Sequence, residues 1–387
     1  MHDVDFPIIK YQENDPPRQR GRQHGESFKD AIAELIEIRT RLMLEKNPKL
    51  DQIAIETYAA QQWEATCKFD SLLGEELQGI AEGAGISLTE LVILNNYTDF
   101  RDIEVESQGC SVVYVNRDGN RVAGQTWDMH RSAKRFVCCL HLPAGVSDSS
   151  HENDRSDAVH QEMVIFSVVG CVGMMGFVSD RSSTGNLSAH ANSLPKLRMV
   201  GVNNLNTLGA KPGILWPAII RKLLAEPDRQ RQRELLKSSP LTSGRSFLLA
   251  GREGAEFWEV TPEVQECVSH LPSNHQGHLF HTNHCLGQMT QKVENVAFLS
   301  STTHRRYELI QQKIDAVNDL ETAWQLLNDH EGYPQSICSN FQTSSQDPSV
   351  TCGGAVADLD SGLIRLWRGD PLYDTNSIQH TFGLIDN

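Results

Sequence analysis

The sequence predicts an α+β protein in which mainly antiparallel sheets are covered by helices. Nearly all of residues 1–109 follow helical patterns, and short β-type runs joined by hairpin turns begin after residue 110. Two amphipathic helices are predicted among these strands, near residues 215–225 and 305–327. No segment of 20 to 50 residues repeats, which excludes a solenoid. Helices followed by hairpin-connected strands are typical of packed antiparallel sheets with helical layers.

The first part of the chain is predicted to be helical from the spacing of its apolar residues. Ser87 and Glu90 have the spacing of a capping box, which indicates where one helix begins. Residues 1–22 are polar and contain prolines, so we expect an extended lead-in there. The helices are predicted at residues 26–46, 53–66, 75–82 and 88–96.

The second part of the chain is predicted to be rich in strands. Its short runs of β-branched and aromatic residues fit a pleated, half-buried surface. The polar stretch 147–161 is interpreted as a solvated hairpin insertion without a function. The strands are predicted at residues 112–115, 121–127, 136–142, 163–169, 246–250, 256–260, 279–282, 354–359 and 363–367.

Composition excludes several classes of function. The 387 residues carry a formal net charge of −15, which argues against nucleic acid or an anionic membrane surface as a partner. No run approaches the length of a membrane span, and residues 1–25 do not resemble a signal peptide. The nine cysteines contain no CxxC pair, which favours a reducing compartment over a disulfide framework. We therefore expect a cytoplasmic protein. The sequence does not indicate an oligomeric state.

One predicted hairpin brings the candidate catalytic residues together. A strand follows Cys110, and Asp118-Gly119 is a strong signal for a two-residue hairpin turn. With those two residues at the centre of the turn, Cys110 falls opposite Trp127. Asp128 then lies beside the backbone nitrogen of Cys110, with a register uncertainty of one or two residues.

Cleavage of the Gly109–Cys110 bond would give this hairpin a chemical function. Cys110 would then carry a free α-amine, a usable base at neutral pH, next to a nucleophilic thiol. The thiol could cut the bond itself by attacking the Gly109 carbonyl, because glycine tolerates a twisted backbone. Asp128 would hold the new ammonium. The alternative is an ordinary buried cysteine, which is our interpretation of Cys171 after its apolar run.

A second polar cluster follows the strand predicted at 279–282. Asn283 is a candidate donor for an oxyanion, and His281 or His284 could orient it. A metal site formed by His281, His284 and Cys285 is an alternative, although residues this close on a strand end do not readily converge. Histidines that simply satisfy a strand edge remain a third interpretation.

The sequence resembles the acyl-coenzyme A:6-aminopenicillanic-acid acyltransferases (isopenicillin-N acyltransferases) and their C45 autoproteolytic relatives, of the N-terminal-nucleophile hydrolase superfamily. Six motifs carry the resemblance in the same order along most of the chain. They are 20–25 (RGRQHG), 76–83 (ELQGIAEG), Gly109-Cys110 with 124–128 (GQTWD), 203–206 (NNLN) with 212–222, 281–285 (HTNHC) and 333–338 (YPQSIC).

The resemblance implies an αββα sandwich and self-cleavage into two segments. Residues 1–109 would form a helical α segment that stays packed on the catalytic β segment, residues 110–387, in one compact domain. It implies Cys110 as nucleophile, Asp128 as catalytic support and Asn283 as oxyanion donor. It implies no metal or cofactor, although a coenzyme A thioester could serve as a co-substrate. Supporting positions are expected at Ser111, Trp127, His281, His284 and Ser336.

Three positions bear on the substrate. Ser339 stands where the penicillin acyltransferase has an arginine, and Val112 where it has a hydroxyl residue. Both differences argue against penicillin as the substrate. Bile-salt hydrolases typically have arginine three positions before the aspartate, where this chain has Gln125, as in the acyltransferase branch. Arg245 or Arg305 could replace the missing charge.

The hypothesis favoured by these residues is a self-processing cysteine amidohydrolase. It would cleave a small N-acyl amine or amino-acid amide through an acyl-thioester on Cys110. Alternatives are an acyl-coenzyme A-dependent N-acyltransferase, a non-catalytic acyl-ligand-binding protein and a metallohydrolase. Apolar residues that could line an acyl pocket, or be plain core, are Trp127, Trp216, Trp258 and Met174-Met175.

Overall fold

A computed structural model of the chain describes most of its residues. The exposed segment expected before Cys110 and the insertion predicted at 147–161 lie almost entirely outside the described ranges. These ranges are 6–47, 50–102, 109–143, 161–179, 197–299, 302–339 and 347–384.

Two sheets form the centre of the molecule. In the first sheet β1 pairs with β4 in parallel, and all other pairs are antiparallel. Its strands, in spatial order, are β1 (Ile8–Lys10), β4 (Val137–Leu142), β5 (Met163–Val168), β6 (Met175–Ser179), β7 (Leu197–Leu205), β8 (Gly244–Gly251), β9 (Gly254–Val260) and β10 (Gln265–Pro272). The second sheet is antiparallel throughout, in the order β11 (Gly277–His281), β2 (Val112–Arg117), β3 (Asn120–His130), β12 (Ser349–Asp358), β13 (Leu363–Arg368) and β14 (Ile378–Gly383).

Helices cover both outer faces of these sheets. On β2 of the second sheet, Val113 and Val115 belong to one apolar cluster with Leu309 of α8 (Thr303–Lys313) and Leu326 of α9 (Leu320–Leu327). The other face of β2 presents Val112 and Tyr114 to the core between the two sheets. The helices are α1 (Pro17–Ser27), α2 (Lys29–Lys46), α3 (Gln52–Phe69), α4 (Ser71–Ala84), α5 (Leu88–Asp102), α6 (Trp216–Ala225), α7 (Arg229–Ser238), α8 (Thr303–Lys313) and α9 (Leu320–Leu327).

The predicted fold class is confirmed, since the layers follow the order helix, sheet, sheet, helix. Two local predictions were wrong. The lead-in at residues 1–22 contains β1 and the start of α1, which begins at Pro17, a residue well suited to a first helical turn. The helix predicted at 305–327 is two helices, separated by a segment that ends at Asp319, the N-cap of α9.

No single helix in the described ranges has both the length and the apolar composition to cross a membrane. Two consecutive helical segments, Ser71–Ala84 and Leu88–Asp99, have this length and composition only when they are taken together, and they are bent by 114° relative to each other.

A buried ion-pair group joins the N-terminal helices to the strands. Glu76 on α4 accepts hydrogen bonds from Arg221 Nη1 of α6 at 2.9 Å and from Arg20 Nη2 of α1 at 3.1 Å. All three side chains are fully buried or nearly so. Burial alone would raise the pKa of Glu76, but the guanidiniums of Arg221 and Arg20 outweigh it and hold that pKa well below its usual range.

Glu76→Gln should destabilise the fold by about 3–5 kcal/mol, because it leaves two buried guanidiniums with too little negative charge. Urea unfolding measures this, and Glu75→Gln, an exposed position on the same helix, is the matched control. The contribution of Glu76 is present above the ordinary glutamate pKa and is lost as the pH falls below it, since the folded pKa is depressed. Equal stability of the two variants would contradict the assignment.

Candidate active site

The strand β2 begins just after Cys110 and runs along the inside of the second sheet. Asp118 and Gly119 both have positive φ, 51° and 86°, as a type I′ turn requires. Arg117 pairs with Asn120, and the ladder continues with Thr126 N–H donating to the Ser111 carbonyl at 2.9 Å. The predicted hairpin register is thereby confirmed, with Cys110 opposite Trp127.

The backbone of Cys110 is held by side chains from distant parts of the chain. Its N–H donates to Asn283 Oδ1 at 2.7 Å. Its carbonyl accepts from Arg306 Nη1 at 2.7 Å and from Asn203 Nδ2 at 2.9 Å. We expected Asp128 beside this backbone nitrogen, and that detail was wrong: Asn283 occupies the position, and the Asp128 backbone instead hydrogen-bonds the thiol.

The Asp128 carboxylate lies against the residue that precedes the cysteine. A Cβ added to Gly109 would lie 3.0 Å from Asp128 Oδ2 and would collide with the Arg306 guanidinium. The structure therefore favours glycine at 109, because any Cβ there would displace the Arg306 guanidinium. On its other side, Asp128 Oδ1 accepts from the Thr351 hydroxyl at 2.7 Å.

Burial governs the protonation of both groups. It raises the pKa of Asp128 to about 7, against the opposing effects of Arg306 and the Thr351 hydrogen bond. Burial, and then the nearby Asp128 charge, raises the pKa of the Cys110 thiol to about 12. The thiol in this uncut geometry is therefore protonated at neutral pH, whereas Asp128 is poised to exchange a proton.

Arg306 is the site residue that sequence reasoning missed. Its guanidinium is fully buried and also donates to Ser111 Oγ at 3.1 Å and to Asn283 Oδ1 at 2.8 Å. Of the two arginines expected to supply the charge, Arg305 is exposed beside Glu308, whereas Arg245 pairs with Asp99 and lines the cavity beside Cys110. Helical spacing held the signal, because position 306 shares a face with the apolar positions 309 and 310.

The predicted Asn283 is fixed by its amide and its backbone. Besides the two donors on Oδ1, its Nδ2 donates to the Asn204 carbonyl at 2.9 Å, and its N–H donates to Thr303 Oγ1 at 2.8 Å. Asn203 and Asn204, on β7, were noted as a motif without a role. They bring the first sheet to the Cys110 carbonyl and to the Asn283 amide.

His281 supports the loop that carries Asn283. Its Nδ1 donates to the Thr282 carbonyl at 2.7 Å, and its Nε2 lies 2.8 Å from Glu259 Oε1. Glu259 also accepts from the Leu286 N–H at 2.6 Å. Burial would raise the pKa of Glu259, but the hydrogen bond and charge of His281 hold it below its usual value. The ion pair thus braces both ends of the loop.

His284 and Cys285 do not join His281 in a metal site. His284 Nδ1 lies 3.1 Å from Thr303 Oγ1, and burial lowers the pKa of this histidine to about 3. The Cys285 thiol lies against Glu294, and burial raises its pKa. The ligand atoms of the three residues are not all within 4.8 Å of one another. The metallohydrolase hypothesis is therefore unsupported by this geometry.

The remaining supporting residues lie at different distances from Cys110. Ser111 contacts Arg306, and Trp127 packs edge-on to Phe166 with ring centroids 6.2 Å apart. Ser336 is buried, and its hydroxyl donates to the Cys338 carbonyl at 2.5 Å. Ser336 therefore stabilises its own turn and makes no described hydrogen bond to Cys110.

A cavity of about 40 Å³ opens beside Cys110. Trp127, Met174 and Trp216 line it, as the acyl-pocket hypothesis expected, whereas Trp258 and Met175 do not. Gln125 also lines it and joins the sheets, accepting from Val202 N–H at 2.8 Å and donating to the Val202 carbonyl at 2.6 Å. The pocket wall is thus largely apolar next to the thiol.

Comparison with known proteins gives concordant results. The family model described as acyl-coenzyme A:6-aminopenicillanic acid acyl-transferase matches residues 200–363. The chain is 25% identical over 386 residues to the acyl-coenzyme A:6-aminopenicillanic-acid-acyltransferase 40 kDa form of Emericella nidulans, and the match covers 96% of this chain and 95% of the relative.

Two solved structures are also similar. Penicillin V acylase from Agrobacterium tumefaciens matches with TM-score 0.44 and 12% identity over 70% of this chain and 85% of its own. A mutant of conjugated bile acid hydrolase from Clostridium perfringens matches with TM-score 0.41 and 12% identity over 71% of this chain and 92% of its own.

The four-layer sandwich, with a cysteine just before an inner strand, agrees with the αββα architecture that the resemblance implied. The family model and the Emericella nidulans relative both make the chain similar to the acyl-coenzyme A:6-aminopenicillanic acid acyltransferases. The resemblance inferred from the motifs is confirmed.

Proposed function

We propose that this protein cuts itself between Gly109 and Cys110 and then cleaves small N-acyl amines through an acyl-thioester on Cys110. One observation carries the proposal: Asp128, Asn283 and Arg306 converge on these two residues from three different elements. A structural cysteine needs no such convergence of an amide and a guanidinium on its own backbone and of a carboxylate on the preceding residue.

The proposed self-cleavage begins with transfer of the Cys110 thiol proton to Asp128. The sulfur forms a bond to the Gly109 carbonyl carbon, the C–N bond breaks, and the Cys110 nitrogen takes up a proton. Water then hydrolyses the thioester, which leaves a carboxylate on Gly109 and a free α-amine on Cys110. A pKa of about 7 suits Asp128 to this exchange at neutral pH.

The two segments are proposed to stay together as one compact domain after the cut. The α segment, residues 1–109, reaches the β segment, residues 110–387, through the buried Glu76–Arg221 pair. It also does so through His24, whose Nε2 accepts from the Gly170 N–H at 2.8 Å. The α segment also places Leu35, Leu77 and Ile80 in the apolar core that it shares with the strands, so dissociation would expose apolar surface to water and is disfavoured.

In turnover, the α-amine acts as the base for the thiol, and the acyl group moves from the substrate amide to sulfur. Asn283 is the proposed oxyanion donor through its Nδ2, and its Oδ1, which accepts from the Cys110 nitrogen, orients the α-amine. Water then releases the acid. The apolar lining from Trp127, Met174 and Trp216 favours an apolar acyl group. Penicillin is disfavoured because of Ser339 and Val112.

A second candidate is acyl transfer from a coenzyme A thioester to a small amine. The described activity of the Emericella nidulans relative favours it. Both functions share the acyl-thioester and differ in its donor and acceptor. A thioester donor supplied together with an amine distinguishes them, since transfer would then exceed hydrolysis.

Hydroxylamine trapping tests the proposed acyl-enzyme. The purified protein is incubated with N-acyl p-nitroanilides of increasing chain length, and hydroxylamine is added to capture the acyl group as a hydroxamate. A Cys267→Ser background removes an exposed cysteine that would otherwise react with electrophiles. We expect nitroaniline release, hydroxamate formation and faster iodoacetamide labelling of Cys110 than of Cys171. An absence of turnover with equal labelling of both cysteines would instead indicate a non-catalytic binding protein.

A further inference from the structure

A second group of reactive side chains lies outside the proposed catalytic residues. His330 Nε2 is 3.0 Å from both carboxylate oxygens of Asp370, and the Cys338 thiol lies beside the same carboxylate. One potential ligand atom from each of the three residues lies within 4.8 Å of the other two. In the described part of the chain, no other group of three or more such side chains has its ligand atoms this close together.

Each of these side chains is held by its own contacts. Asp370 Oδ1 accepts the Leu372 N–H at 2.9 Å. The His330 ring packs edge-on to Tyr373, with centroids 5.0 Å apart. The Cys338 N–H donates to the Asp329 carbonyl at 3.0 Å. Two segments, the turn 329–339 and the chain at Asp370, therefore present a nitrogen, a sulfur and an oxygen to one point, which is how a preorganised metal site is built.

We propose that His330, Cys338 and Asp370 bind a zinc ion, with water as the fourth ligand. Imidazole, thiolate and carboxylate are the three side-chain ligands that Zn²⁺ takes, and the negative thiolate and carboxylate balance its charge. Tetrahedral zinc separates its nitrogen and oxygen ligands by about 3.4 Å. The observed 3.0 Å between His330 and Asp370 needs to widen by only a few tenths of an ångström.

Coordination has a defined proton balance. Burial raises the pKa of the Cys338 thiol, and the charges of Asp370 and Asp128 raise it further. Without a cation the thiol stays protonated, whereas zinc binding forms the S–Zn bond and releases that proton to solvent. The side chains of His330 and Asp370 are each 13% exposed, which gives an ion access from the surface.

The proposed zinc would fix the segment that follows it towards Asp128. Ser339 N–H donates to Thr351 Oγ1 at 2.7 Å, and that hydroxyl donates to Asp128 Oδ1. The ion would have a structural role, because it would hold the turn 329–339 in place. Zinc binding stands independently of the proposed amide cleavage, because its test measures binding alone.

The test uses the full-length protein, freed of metal by a chelator and dialysed. Zn²⁺ is titrated in competition with a chromophoric chelator, and Co²⁺ is added separately to detect thiolate-to-cobalt absorption. The variants are His330→Gln, Cys338→Ser and Asp370→Asn, the last retaining an oxygen for the Leu372 N–H. His275→Gln and Cys267→Ser, both at exposed positions, are the matched controls.

We expect one equivalent of tightly bound zinc in the wild type and both controls. Each ligand variant should bind at least about tenfold more weakly. Cys338→Ser should also lose the thiolate-to-cobalt band. Circular dichroism of the metal-free variants verifies folding, and Asp370→Asn is decisive if Cys338→Ser does not fold. No tight binding by the wild type, or equal binding and equal spectra in the ligand and control variants, would overturn the proposal.

Discussion

Cys110→Ala should yield an uncut chain that hydrolyses no N-acyl amine. The substitution removes the sulfur that acts twice in the proposed mechanism, first to break the Gly109–Cys110 bond and then to accept the acyl group. Loss of a nucleophile typically lowers turnover by at least about 10³-fold. Because Cys110 is buried among Trp127 and Met129, alanine leaves only a small cavity and should preserve the fold.

Two comparisons make this result specific. Cys171→Ala also truncates a buried cysteine, and it should be cut and active, since Cys171 makes no described contact with Asp128 or Asn283. Cys110→Ser keeps the geometry with a weaker nucleophile, so we expect slow cleavage and little activity. Denaturing electrophoresis and nitroaniline release measure both properties. A cut or active Cys110→Ala protein would remove the proposed role of the thiol.

Arg306→Met should have the second-largest effect, a loss of about 10²-fold in kcat/KM. The guanidinium holds the Cys110 carbonyl and Asn283 Oδ1, and its charge opposes the effect of burial on Asp128. Without it, the pKa of Asp128 should rise above its value of about 7. Self-cleavage requires ionised Asp128, so its rate falls as the pH drops through that pKa. The acid limb should therefore move to higher pH in the variant.

The control for this experiment is a substitution of Arg305, the residue next to Arg306 on α8. Arg305→Gln alters an exposed residue and should keep the wild-type pH profile. Arg306→Lys retains the charge without the two-pronged geometry, so its acid limb should stay near that of the wild type while its rate falls. Measuring cleavage rate against pH separates electrostatics from folding. If Arg306→Met and Arg305→Gln gave the same profile, Arg306 would have no influence on Asp128.

The sequence was most informative where the chemistry is local. Asp118-Gly119 predicts a turn with two positive φ angles, and this turn alone fixes the register that puts Cys110 opposite Trp127. The capping spacing of Ser87 and Glu90 likewise predicts a helix start, and Glu90 Oε2 accepts the Ser87 N–H at 2.7 Å. Interactions over a few residues leave patterns that a single sequence retains.

The long-range part of the site could not be predicted in the same way. Arg306 lies 196 residues after Cys110, and only the packing of α8 on the second sheet brings it there. The placement of Asn283 at the Cys110 nitrogen depends on its loop, which Glu259 and His281 brace. The pKa of Asp128 depends on burial by neighbours from several elements. The motifs contain most of the site residues, whereas tertiary contacts determine their partners.

The most direct test of the account is intact-mass measurement of active wild-type protein, combined with N-terminal sequencing. We predict two chains whose masses sum to the full chain plus one water, with a new N-terminus beginning Cys110-Ser111-Val112. An active protein that retains only its original N-terminus, or one cut at any other bond, would contradict the claim that a terminal cysteine performs the chemistry.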